Sequence, residues 1–368
     1  MFARLESAAP GEECLRNLLK GYAGVSLPAP FWEGTLLPGR VGKYRENMLD
    51  SYLAEGELFW HMEGKGGLRF DYQEQIDWDM DPACQKEELT EKEALIYEAL
   101  EKRGASFMQS LNGLLEGESP HATLMSLMEK GLVYADSFLP VRQWNNRERA
   151  KKAAPRERVN MRVQALRAGR WDIVRPVKEP SIEKRLEDCF SRCVILSRET
   201  AAAWGLSWQE ALAVLRIWEY TGQARRGYFV EGLSGAQFIR GKDFDSVTRA
   251  LKHPERQLVW VNAADPAQCW GKVLPHKEGR SFFNVPGTAL ACFGGIPVAV
   301  MERQGKTLRV FEEGYLEECI ALFAEEYKKG KLFPALRRIV VKEYPSQARE
   351  ALGRAGFFKE VQDYALYR

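Results

Sequence analysis

The sequence predicts an α+β chain in which helical modules, each closed by a β-hairpin, precede a strand-rich region. Three observations carry this. Short amphipathic helices stop at Gly56, Gly131 and Gly222 and run directly into strand-like residues; the texture turns from helical to β after Leu251; and helix and strand alternate from Leu316 to the end. Short helices followed by a two-stranded wing are the plan of a winged helix, a relative of the helix-turn-helix. The expected order is therefore tandem winged-helix modules, a small β-barrel and a C-terminal α/β segment.

Residues 1–85 read as an N-terminal arm and a partial winged helix. Pro28, Pro30 and Pro38 among large apolar residues favour an extended arm over 27–40. Leu49, Tyr52 and Leu53 share one helical face, and residues 57–61 follow Gly56 as a strand. A winged helix is expected over 86–145. Thr90 and Glu93 form a capping box, helices cover 106–115 and the stretch through Leu124 and Met128, and a strand at 132–134 pairs with a return over 138–142.

Residues 146–178 read as a basic linker. Lys151, Lys152, Arg156 and Arg158 lie in a run from Arg142 to Lys178 that faces only Glu148, Glu157 and Asp172, with Trp144 and Trp171 near its ends. Such a run is either a solvated tether or a track for phosphates. A further winged helix spans 179–255, where Ser197 caps one helix and Ser207 with Glu210 caps the next. Trp208, Ala211, Leu212, Leu215 and Trp218 then keep the rhythm of a buried helical face. The three terminating glycines lie 75 and 91 positions apart, too unequal for a solenoid of fixed period.

Residues 256–312 hold five short apolar runs, at 258–261, 271–274, 288–293, 296–301 and 307–311, separated by turn residues, hence the barrel. Residues 313–368 read as a helix through Leu316, Ile320 and Phe323, a strand at 338–341 and a helix capped by Ser346.

Composition narrows the function classes. The 368 residues are 45% hydrophobic and 28% charged, as in globular proteins, and carry a formal net charge of only +2. Any attraction to a polyanion must come from local clustering of cations. Seven cysteines without a Cys-x-x-Cys fit a reducing compartment. Residues 1–24 show neither a signal peptide nor a membrane span, so the expectation is a cytoplasmic protein without a membrane partner. His61, His121, His253 and His276 are scattered, and no metal or other cofactor is expected. Gly305-Lys306-Thr307 looks like the tail of a phosphate-binding loop, but Val300 stands where the loop requires glycine.

The most informative stretch is 221–240. Arg225, Arg226 and Tyr228 sit on a hairpin directly behind an amphipathic helix, with Arg240 on the return. Alternation puts Arg226 and Tyr228 on one face and Arg225 on the other, and Gly227 lets the backbone come close to a phosphate. Gln237 either donates to a phosphate or base edge or caps a turn. Asp265, before a proline, is either a turn-former or a carboxylate at the barrel rim able to assist glycosidic cleavage of a flipped base. Asp363, between Gln362 and Tyr364, is a second catalytic candidate.

Residues 221–238, Thr-Gly-Gln-Ala-Arg-Arg-Gly-Tyr-Phe-Val-Glu-Gly-Leu-Ser-Gly-Ala-Gln-Phe, and residues 258–275, from Leu-Val-Trp-Val-Asn to Lys-Val-Leu-Pro, closely resemble the C-terminal region of bacterial Lhr, the large helicase-related DNA repair proteins. Residues 44–57 and 131–142 are similar to earlier parts of that region. The resemblance implies tandem winged helices and a β-barrel, an architecture similar to AlkZ-type DNA glycosylases, attached in the family to an ATP-driven translocase. Members of the group are linked to uracil removal from DNA. No ATPase core stands in these residues, so the implied protein is a DNA-binding module without the motor, acting in repair beside a separate Lhr-type helicase core. The alternatives are a metal-independent glycosylase using Asp265 or Asp363, and a transcriptional regulator. Where the family has an Asp-Pro-Ala-Asn-like turn, this chain has Asp265-Pro-Ala-Gln268.

Overall fold

A computed structural model describes residues 11–82, 88–148 and 169–368. The chain groups into two compact units. One is built within 11–33 and 44–179; the other joins Gly34–Lys43 to Pro180–Arg368.

The chain opens with α1 (Gly11–Gly21), β1 (Leu27–Pro28), α2 (Ala29–Phe31), a π-helical turn (Trp32–Leu36), α3 (Leu37–Arg40) and α4 (Glu46–Ala54), then the hairpin β2 (Leu58–Glu63) and β3 (Gly67–Tyr72). The sheet is antiparallel in the order β1-β3-β2, so the module carries a full wing. The extended arm expected over 27–40 is a strand only at Leu27–Pro28 and helical from Ala29 to Arg40. Pro30 occupies the first turn of α2, where the missing N–H would have had no helical partner, and Pro38 stands in α3 directly behind the π-helical turn. Trp32 packs edge-on against Phe70 and donates its indole N–H to the carbonyl of Leu68 at 3.0 Å, which fixes the module's core ring.

A second module repeats the order: α5 (Glu91–Arg103), β4 (Ser106–Phe107), a 3-10 turn (Met108–Leu114), α6 (His121–Glu129), β5 (Val133–Ala135), α7 (Leu139–Asn145) and β6 (Arg170–Ile173). Two expectations change here. Residues 138–142 do not return as a strand, because Pro140 sits in the first turn of α7. The returning strand is β6, central in the order β4-β6-β5, with Trp171 and Ile173 buried, so a core strand lies where the linker was expected. Gly131, before β5, has φ +75° and would set a Cβ 2.3 Å from the carbonyl of Met62. Only glycine fits where these two modules touch.

In the other unit the order appears again as α8 (Ile182–Arg192), α9 (Arg198–Ala203), α10 (Trp208–Tyr220), the hairpin β7 (Ala224–Gly227) and β8 (Gln237–Arg240), and α11 (Phe244–Lys252). Leu196 bridges Phe238 and supplies the third strand position. Leu186, Phe190, Leu196, Ala211, Leu215 and Phe238 form the core. Each fully buried Leu or Phe side chain contributes about 1.5–3 kcal/mol.

Four antiparallel strands follow, β9 (Leu258–Asn262), β10 (Ala289–Phe293), β11 (Ile296–Glu302) and β12 (Thr307–Val310), in the order β12-β11-β10-β9. Residues 271–274 form a turn, not the expected strand, and no closed barrel is found among the described residues. One face of this sheet packs, through Trp260, Ala291 and Met301, into a core shared with α12 (Leu316–Lys328) and α13 (Ala348–Arg354). The same core takes Ile339 and Leu366 from the sheet β13-β15-β14, formed by Arg338–Val341, Asp363–Tyr367 and Phe358–Glu360. The other face of the four-stranded sheet is covered by Phe282 of the long β9–β10 loop. Among the described residues no helix is long and apolar enough to cross a membrane.

The capping box at the start of α5 has a measurable consequence. Burial of Glu93 opposes its charge, but Lys130 at 2.8 Å, the backbone N–H of Thr90 and the hydroxyl of Ser126 outweigh it and hold the carboxyl down to about 2. A carboxyl that titrates lower when folded contributes stability above its unfolded value of 4.5, and that stability is lost as the pH falls through about 2. Acid titration of thermal stability should show this loss between those limits, and Glu93→Gln should flatten it.

Candidate nucleic-acid interface

The third wing is built by one side chain. Beyond Gly227 the ladder between β7 and β8 ends, and the backbone of the wing needs other partners. Gln237, 1% exposed, provides them: its carbonyl oxygen accepts from the N–H groups of Phe229 and Val230, both at 2.8 Å, and its amide donates to the carbonyl of Val230 at 2.8 Å. Gln237 is therefore withdrawn from solvent, and of the two roles the sequence left open, a contact to phosphate or base edge and a turn cap, its hydrogen bonds are those of the second. Gly227 serves the same end. A Cβ there would meet the Phe229 ring at 2.5 Å, so the glycine admits that ring rather than a phosphate. Phe229 packs edge-on against Phe244, and Ser234 at the wing's far end donates to Glu199 through both its N–H and its hydroxyl. Burial opposes the charge of Glu199, but Ser234 and Ser197 outweigh it and hold its carboxyl below the usual range.

With the wing fixed from inside, Arg225 and Arg226 are both exposed and Tyr228 is 79% exposed. Neither arginine forms an ion pair among the described residues. Arg240 differs: its Nε donates to Asp243 at 2.6 Å, which commits it to a local pair. Sequence reasoning missed a second exposed group on α10. Arg216, Ile217 and Tyr220 lie off the Ala211-Leu215-Trp218 rhythm and point to solvent, and that break in pattern was the available signal.

Lys151, Lys152, Arg156 and Arg158 lie outside the described residues. The described parts of the basic run have local partners. Arg142 is clamped by Glu33 and Asp50 at 2.7 Å, Arg170 pairs with Asp136 at 2.8 Å, and Arg147 and Arg175 lie over the rings of Trp144 and Trp78. A cleft of about 420 Å³ in the same unit, lined by Arg69, Lys130 and Arg175 among others, is no better placed to attract phosphate. Arg69 is committed to Asp71 and Lys130 to Glu93.

Asp265, 5% exposed, sits in the β9–β10 loop. Arg40 grips it with a fork, Nε to Oδ2 at 3.1 Å and Nη2 to Oδ1 at 2.6 Å, and Oδ1 also accepts from the N–H of Ala267 at 2.8 Å. The turn-forming role is thus present, together with an arginine partner that sequence reasoning missed. Lys272 donates to the backbone carbonyl of Asp265 at 2.8 Å. Although Lys272 is exposed as a residue, the packing around its ammonium pushes its pKa down to about 8, against the pull of the Asp265 carboxylate. Nearby, Gln268 donates to the carbonyl of Ala263 and to Asn284 at 2.7 Å, while its Oε1 and the Nδ1 of His276 are buried without partners among the described residues. Asp363 lies elsewhere, paired with Glu360 across the β14–β15 hairpin, half-buried, 3.9 Å from Lys342. The two carboxylates expected to be catalytic thus stand apart in the fold, one in the β9–β10 loop and the other on β15.

Helix, strand, two helices and a wing make this a winged-helix protein. The family model for the third winged-helix domain of the large helicase-related protein matches residues 3–73, and that for the fourth matches 176–259. Two curated relatives align over most of the chain. "Lhr helicase/ probable uracil glycosylase" of Mycolicibacterium smegmatis is 29% identical over 344 residues, covering 82% of this chain and 22% of the relative. "Lhr helicase/uracil glycosylase" of Escherichia coli is 27% identical over 354 residues, covering 84% and 23%. The chain is thus similar to the Lhr, or large helicase-related, proteins in two winged-helix domains, and it spans about a fifth of the length of these relatives.

Removing the wing's internal support should loosen it. Gln237→Ala removes the partner of three half-buried backbone groups and should cost about 1–3 kcal/mol in denaturant unfolding. Hydrogen exchange at the amides of Phe229 and Val230 should accelerate in parallel.

Proposed function

We propose that the chain is a DNA-binding module of Lhr type, serving DNA repair beside a helicase core, and that it grips the phosphate backbone through its third wing. The observation that carries this reading is the pair Arg225 and Arg226, exposed and without carboxylate partners, on a hairpin whose turn is fixed from inside by Gln237. In a chain of net charge +2, two cations with no local acid are where a polyanion finds its contact. The helicase names of the relatives point to the kind of partner. Lys151, Lys152, Arg156 and Arg158 would extend the same backbone contacts.

Fluorescence anisotropy against labelled DNA over a salt series tests this. The wild type should weaken steeply with salt, and Arg225→Ala with Arg226→Ala should lower the slope by about 2, one per phosphate contact. A flat salt dependence overturns the reading.

A second reading is glycosidic cleavage of a flipped base, as the uracil glycosylase in both relatives' names suggests. Its support is the β9–β10 loop, where Asp265 shares the segment with two buried polar atoms, on Gln268 and His276, that lack partners among the described residues. Both oxygens of Asp265 are engaged, so its role would be a fixed negative charge facing an oxocarbenium-like sugar rather than a base that activates water. A uracil-containing oligonucleotide incubated in EDTA and then alkali should break at uracil. Asp265→Asn should abolish the breaks and Asp363→Asn should leave them. No breaks with the wild type would discard this reading and leave the first intact.

A further inference from the structure

From Cys269 to Leu274 the β9–β10 loop makes a tight turn, in which the N–H groups of Lys272, Val273 and Leu274 all donate to the carbonyl of Cys269, at 3.2, 3.0 and 3.0 Å. Gly271 allows it: its φ is +71°, and a Cβ there would strike the His276 ring at 2.3 Å and the Asn284 amide at 2.8 Å. The turn leaves Lys272 exposed, with its Nζ on the backbone carbonyl of Asp265 at 2.8 Å. Lys92, Lys130, Lys184 and Lys329 hold carboxylates, and each must break an ion pair to give up its proton. Lys272 donates to a neutral carbonyl instead; as a free amine it keeps an N–H for that carbonyl and has a lone pair to spare. Burial of the ammonium lowers its pKa to about 8, against the pull of Asp265 and Cys269, so free amine is present near neutral pH. The third wing packs against the same turn. A Cβ at Gly232, just past Val230 in the wing, would lie 3.7 Å from Leu274 and 3.8 Å from Pro275, ordinary van der Waals distances. The hairpin that carries Arg225 and Arg226 and the turn that carries Lys272 are thus neighbours within one unit.

We infer that Lys272 is the nucleophile of an abasic-site lyase, attacking the C1′ aldehyde of a deoxyribose that has lost its base. The inference rests on the DNA-binding reading and holds whether or not this chain removes the base itself. An amine beside a DNA-gripping wing finds no aldehyde in intact DNA; the ring-opened abasic sugar supplies one, and that fixes the substrate class. Nζ adds to C1′, and the carbinolamine loses water to leave an iminium. The iminium takes up the electrons of the C2′–H bond as that proton passes to water. Returning, they expel the 3′-phosphate, which departs with the electron pair of the C3′–O bond. Water then hydrolyses the imine, which restores the lysine and leaves an unsaturated aldehyde on the 5′ fragment.

The test uses the full chain and a duplex with one preformed abasic site, in EDTA. The wild type should nick the duplex on the 3′ side of the site without alkali. Borohydride, which reduces the imine to a stable amine, should link the chain covalently to the DNA. Lys272→Arg keeps the positive charge and a donor for the Asp265 carbonyl but is no nucleophile at neutral pH. It should lose both the nick and the link, with binding to the same duplex by anisotropy and the unfolding temperature unchanged. Lys277→Arg, exposed in the same loop, should change none of these. A wild type that binds the duplex but neither nicks nor links it overturns the inference, as does a link that survives Lys272→Arg. Absence of binding by the wild type would instead remove the DNA-binding reading, and this inference with it.

Discussion

A β-hairpin that projects from a module must satisfy its own backbone, because past the last ladder pair there is no neighbouring strand to do so. In the third wing that requirement falls on Gln237, whose amide acts as a surrogate strand for Phe229 and Val230. With those three hydrogen bonds made inside, the side chains of Arg225, Arg226 and Tyr228 are left to solvent. Polar capacity is spent on one residue so that its neighbours keep theirs.

The same economy explains why so many of the chain's cations are not candidates. Arg142, Arg170 and Arg240 each have a carboxylate within 2.8 Å, and Arg147 and Arg175 cover tryptophan rings. A count of basic residues along the sequence treats these as equal to Arg225. Their partners, Glu33 and Asp136 among them, come from other elements of the fold, so the distinction is a tertiary one.

What was legible in the sequence was local. The caps at Thr90, Ser197 and Ser207 and the buried stripe of α10 follow from residues three or four apart, and each forms as expected. The prolines of 27–40 misled because proline fits an extended arm and a first helical turn equally well, and packing chose the second. Strand β6 was hidden because α7 and the long stretch after it separate it from β5, so no turn signal joins the pair. Gln237 and Asp265 were visible as residues of interest, but their roles depend on which groups lie opposite, Val230 for one and Arg40 for the other.

The fork between Arg40 and Asp265 joins two segments of the second unit that lie 225 positions apart in the chain. Loops of that span close late, since the chain must find its own beginning again. During synthesis Arg40 emerges long before its acid does, and the fork forms only once the β9–β10 loop has been made. A shortened version starting at the third winged helix would lack the ten-residue piece that carries Arg40, and Asp265 would keep only Lys272 and the N–H of Ala267 as local partners.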